Sequence, residues 1–160
     1  MPTLHGSCLC GGVKFAIAGP LMPPRNCYCS LCRKQHGAPF RCAARFPARN
    51  LRWIEGEGLV RFYESSPGSF RGFCSTCGSP VINKFDERSR SAALRPETVS
   101  EYGVALATLD DDPGTRPSYH LFVASKPSWF DITDTLPSAS NSSDGAPARA
   151  RFAPLPGGRS

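Results

Sequence analysis

At 160 residues, 40% hydrophobic and 20% charged, the chain has the length of one domain with an ordinary core. Sixteen prolines and fifteen glycines argue against long helices and for a turn-rich, mostly β protein. No apolar run approaches the roughly 20 residues of a bilayer span, and the formal +6 charge is scattered as single Arg and Lys residues that by themselves name no nucleic-acid partner.

In chain order, the opening "MPTLHGSCLCGG" has no basic region followed by an apolar one, so a cytoplasmic location is expected rather than secretion. "VKFAIAG" alternates Val13, Phe15 and Ile17 on one face and predicts a strand; "GPLMPP" then turns the chain. Ser30 is placed to cap a short helix "LCRKQH" that Gly37 ends. "PFRCAARF" alternates Phe40, Cys42, Ala44 and Phe46. "LRWIEG", "LVRFYES", "SFRGFC" and "PVINKF" follow at intervals that suit short antiparallel strands with core-packed aromatics. "DERSRSAALRPETVSEYG" is polar and predicts an exposed loop, after which "VALATL" and "YHLFVA" predict two more strands. The domain is expected over residues 1–136, with a flexible tail at 137–160 rich in Pro, Ser, Gly and Ala.

Seven of the eight cysteines fall into three motifs: Cys8-x-Cys10, Cys27-x-Cys29-x-x-Cys32 and Cys74-x-x-Cys77. In a reducing compartment such clusters point to metal ligands rather than disulfides. Structural zinc closes with four protein ligands, and two pairs supply them: Cys8, Cys10, Cys74 and Cys77. Both pairs precede a glycine, which allows positive-φ turns that aim backbone N–H groups at sulfur. Cys27, Cys29 and Cys32 are left as a trio. Three ligands and a vacancy are the pattern of catalytic zinc, and a substrate thiol is a suitable fourth ligand. The competing arrangement has His36 or Cys42 closing that site, with His36 four residues beyond Cys32 on the same helix face. A His36 facing the vacancy would instead carry a proton. Arg33, Lys34 and Arg41 are cations placed to meet substrate carboxylates. Thiol–disulfide exchange by C-x-x-C belongs to a βαβ context that this sequence lacks.

Through "GSCLCGGVKF", "CYCSLCRKQHGAPF", "GFCSTCGSPV" and "HLFVASKPSWFDI", the chain resembles the glutathione-dependent formaldehyde-activating enzymes, also called Gfa-like or centromere-protein-V-like domains. The resemblance implies a mostly β, Mss4-like fold of short antiparallel sheets stapled by zinc. It implies two zinc ions per chain, a structural one at Cys8, Cys10, Cys74 and Cys77 and a catalytic one at Cys27, Cys29 and Cys32. It implies a carbon–sulfur lyase that joins glutathione and formaldehyde reversibly as S-hydroxymethylglutathione; the apolar runs and scattered charge above lead us to expect no membrane partner and to disfavour a nucleic-acid one. The alternative is a non-catalytic zinc module that carries glutathione or recognises a protein or nucleic acid.

Overall fold

The computed structural model describes residues 3–140. A three-stranded sheet of β1 (Thr3–Ser7), β2 (Lys14–Ala18) and β5 (Leu51–Glu55) runs in the order β1-β2-β5. A larger sheet is built from β3 (Arg25–Cys27), β4 (Arg41–Pro47), β6 (Val60–Ser66), β7 (Ser69–Cys74), β8 (Pro80–Phe85), β9 (Glu101–Ala105), β10 (Tyr119–Leu121) and β11 (Ser138–Ala139). Its order is β11-β10-β3-β4-β9-β8-β7-β6. All pairings are antiparallel except those of β10, which runs parallel to β3 and to β11. The mostly β fold expected from composition and resemblance is therefore the one found, with helix among the described residues confined to α1 (Ser30–His36), α2 (Arg90–Leu94) and short 3-10 turns.

Strand alternation explains the core. Phe15 and Ile17 of β2 are fully buried and meet Phe46, Val60, Val81, Ile82 and Val104 of the larger sheet. Both sheets thus contribute to one apolar cluster, whose burial is the main favourable term in folding. Cys8 and Cys74 belong to the same cluster, so the first cysteine motif and the third sit at its margin.

Four local expectations need correction. The polar segment after β8 is not an exposed loop. Ser89, fully buried, caps α2 by accepting a 3.0 Å bond from the Ala92 N–H, and the 3-10 turn Pro96–Ser100 follows. The cause lies on β4: the buried Arg45 guanidinium needs acceptors and finds Thr98 at 2.7 Å, Ser91 at 3.0 Å and Glu101 at 3.2 Å. "LVRFYES" is an edge strand with exposed Phe62 and Tyr63, so its aromatics do not pack in the core. β4 is central rather than one-sided, which buries Arg41 as well as Arg45. Pairing also continues past residue 136, since β11 joins β10 with Ala139 buried; residues 141–160 of the expected tail lie outside the described residues.

Candidate metal centres

The four-cysteine set assembles as its spacing predicts. Cys8 and Cys10 lie in the loop between β1 and β2, while Cys74 ends β7 and Cys77 lies in the turn to β8. The four Sγ atoms all lie within 4.8 Å of one another, with Cys8–Cys10 at 3.5 Å and Cys10–Cys74 at 3.9 Å. A zinc–sulfur distance of about 2.3 Å in a tetrahedron sets sulfurs about 3.8 Å apart, so the donor set fits zinc. Gly11 and Gly78, one after each pair, take φ of 73° and 76°. The resulting turns donate the Gly11 N–H to the Cys8 carbonyl at 2.9 Å and the Gly78 N–H to the Cys74 carbonyl at 2.8 Å. Val13 donates its N–H to Cys8 Sγ at 3.2 Å. Burial opposes ionisation of Cys8, but this N–H and the Cys10 and Cys74 sulfurs prevail and hold its pKa below the ordinary value. Ser79, through its hydroxyl and backbone, holds Cys77 down at about 5.

The second set comes from one short stretch. Cys27 ends β3, Cys29 precedes α1, and Cys32 lies buried in its first turn. Cys29 rather than Ser30 is the N-cap: its sulfur accepts the Cys32 N–H at 3.4 Å. Gly37 ends the helix in the left-handed region at φ 57°, as expected. The three Sγ atoms lie within 4.8 Å of one another, and among the described residues no further His, Cys, Asp or Glu joins them. His36 and the half-buried Cys42 are therefore outside the trio. The crowding has an electrostatic signature. Hydrogen bonds from Cys27 and Cys29 favour the Cys32 thiolate, with Arg41 and Arg71 adding to them, and hold its pKa far below the thiol range. Cys29 and Cys32 in turn push Cys27 far above that range. Three adjacent sulfurs cannot share three negative charges unaided, and a divalent cation removes that conflict. Both clusters can hold a metal ion, and thiolate donors suit zinc.

Around the trio stand residues of other strands. Arg71 of β7 reaches Cys32 Sγ through both terminal nitrogens, at 3.8 and 3.9 Å, and donates to Gln35 Oε1 at 2.5 Å and Ser65 Oγ at 2.8 Å. The sequence reading did not single out Arg71. The available signal was the Arg-Gly step inside a strand pattern. A bulge does fall there, between Arg71 and Phe73, where a Cβ on Gly72 would stand 2.2 Å from the Ile82 carbonyl oxygen. Arg41 pairs across the sheet with Cys27.

His36 has its Nε2 buried without a partner. Burial pushes the imidazole down from 6.5 to about 4; Arg41 and Arg71 push the same way, and Cys32 opposes them. Between these two values the unfolded chain binds the proton and the folded one does not, so His36 makes stability fall as pH drops from about 6.5 toward 4. His36→Gln is expected to shrink the loss in urea midpoint between about pH 7 and pH 5. An unchanged loss would show that this imidazole is solvated in the native state.

The motif near the C-terminus supports the trio from behind. β10 pairs Leu121 with Cys27, and its carbonyl accepts the Tyr28 N–H at 2.9 Å. The Tyr28 ring is buried against Phe40 and Phe130, and its hydroxyl lies 3.2 Å from His120 Nδ1. His120 Nε2 bonds Asp134 at 2.8 Å. Beside α1, Arg33, Lys34, Gly37, Ala38 and the exposed Trp129 line an open depression.

Comparison with known proteins places the chain in a family. Residues 3–125 match the family described as "Glutathione-dependent formaldehyde-activating enzyme". A curated relative from Halomonas elongata, named "Putative glutathione-dependent formaldehyde-activating enzyme", is 33% identical over 136 residues, covering 81% of this chain and 80% of that one. A crystal structure of a Rhodobacter sphaeroides protein is similar at a TM-score of 0.52 and 28% identity, covering 71% of this chain and 91% of its own. The chain belongs to the glutathione-dependent formaldehyde-activating enzyme family.

Proposed function

We propose that the protein is a zinc-dependent carbon–sulfur lyase that adds a small thiol such as glutathione reversibly to an aldehyde such as formaldehyde. The carrying observation is the contrast between the clusters: four sulfurs that can close around one ion, and three that leave a tetrahedral ion one ligand short. On this reading Cys8, Cys10, Cys74 and Cys77 hold a structural zinc, and Cys27, Cys29 and Cys32 hold a catalytic one. When bound, that second zinc supplies a Lewis acid that keeps a thiol ionised and nucleophilic at neutral pH.

The chain's own residues do the rest. The trio fixes where the incoming sulfur sits, with Cys27 and Cys32 buried and Cys29 only partly so. The sulfur's electron pair forms the new bond to the aldehyde carbon. The carbonyl π pair moves to oxygen, which takes a proton; the reverse reaction returns it. His36, neutral and weakly basic, is suited to pass that proton on rather than store it. Arg33 and Lys34 line the open depression beside α1 and suit the carboxylates of glutathione, whereas Arg41 is buried away from it. Eight free thiols fit the reducing cytoplasm. Among the described residues no helix is long and apolar enough to cross a membrane.

Cobalt in place of zinc tests the reading. Titrating glutathione into the cobalt-loaded protein is expected to add a thiolate-to-metal charge-transfer band. A spectrum that no thiol changes would leave the non-catalytic zinc module as the better account.

A further inference from the structure

Two guanidiniums stand against the three-sulfur cluster with no carboxylate to match them. Arg41 is buried to 6% exposure, its Nε has no hydrogen-bond partner, and strand pairing sets it opposite Cys27. Arg71 contacts Cys32 Sγ through both terminal nitrogens. Among the described residues no Asp or Glu forms an ion pair with either arginine. A buried guanidinium without a matching anion is costly, and an anion arriving at the site would offset that cost. The contrast with Arg45 is direct: equally buried, on the same strand, it has Glu101 at 3.2 Å.

We propose that Arg41 and Arg71 form a charge-matching pair for an anionic fourth sulfur at the Cys27–Cys29–Cys32 centre, so that the site selects thiolates by the charge on sulfur rather than by carboxylates elsewhere on the ligand. The inference rests on the open-site reading above. A divalent ion with three thiolates carries about −1. The two guanidiniums that act on Cys32 bring the sum to about +1, so an added thiolate lowers a positive charge instead of building up a negative one. Without the pair, a second negative increment would enter a largely buried site. Arg25, close to Arg41, contributes charge of the same sign. The two arginines are positioning residues on this account: they act on the sulfur's charge and take no part in bond making.

The test uses the cobalt-loaded full chain and two probes, glutathione and 2-mercaptoethanol, the second lacking any carboxylate. Arg71→Met is expected to weaken both probes about 10- to 100-fold, the range typical of lost partners around a metal site. Arg71→Lys, which keeps the charge, is expected to recover most of that loss for both. Gln35→Leu, which removes one of the two side chains that orient Arg71, is expected to give a smaller loss in the same direction and serves if Arg71→Met does not fold. Weakening of glutathione with 2-mercaptoethanol unaffected would overturn the proposal in favour of a carboxylate clamp, and equal binding of both probes by the wild type and Arg71→Met would also overturn it. A wild-type protein whose spectrum answers to neither probe is a different failure, that of the open site itself.

Discussion

Cys77→Ser is expected to unfold the domain and, with it, to lose bound metal. Cys77 is only half-buried, in the turn to β8, so its packing contributes little; what the substitution removes is one ligand of the four-sulfur set. Structural zinc in small domains contributes roughly 10–16 kcal/mol of apparent binding free energy, comparable with the roughly 5–15 kcal/mol that separates a whole folded domain from its unfolded chain. The four-cysteine centre also joins the loop of the smaller sheet to the β7–β8 turn of the larger one, so its loss uncouples the two halves of the apolar cluster. Near-UV circular dichroism and metal analysis of the purified variant check this. A cooperative transition within about 1 kcal/mol of the wild type would mean that core packing alone holds the sheets together.

Cys29→Ser is expected to have the opposite profile: adduct formation falls by at least about 100-fold, beyond the usual effect of removing a partner around a metal site, while the fold persists. Cys29 is both a member of the trio and the cap of α1. Serine is a strong capping residue, so this substitution spares the helix start and removes the thiolate alone. Cys29→Ala removes both and is expected to cost about a further 1 kcal/mol of stability. Measuring S-hydroxymethylglutathione formation beside thermal unfolding for the two variants separates the roles. Undiminished turnover in Cys29→Ser would sink the assignment of chemistry to this centre.

How much of this was legible in the chain depends on the range of the interaction. The cysteine motifs were readable because ligands two or three residues apart carry their geometry with them, and the glycines after them announced the turns that Gly11 and Gly78 adopt. Most strands announced themselves through alternation, β2 most clearly. The three-residue β3 was invisible: "RNC" is too short for any period, and it exists because β4 and β10 flank it. The folding of the Ser89–Ser100 segment was equally hidden, since its polar residues face Arg45 more than 40 positions earlier, and local polarity reads as solvent exposure. Arg71, and the burial of Arg41, escaped for a related reason. Which face a strand arginine occupies depends on sheet register and on the bulge at Gly72, and both are settled by pairing partners far along the sequence.

Cys74 and Arg71 share one strand, three residues or about 10 Å apart. β7 therefore serves as a common beam: its far end carries Cys74 of the four-sulfur set, and Arg71 from its middle rests on the three-sulfur set. Loosening of that far end would let Arg71 wander. Batches that differ only in how fully the scaffold ion is loaded should then scatter in turnover, even when every reactive centre is filled, and zinc content should be matched before two preparations are compared.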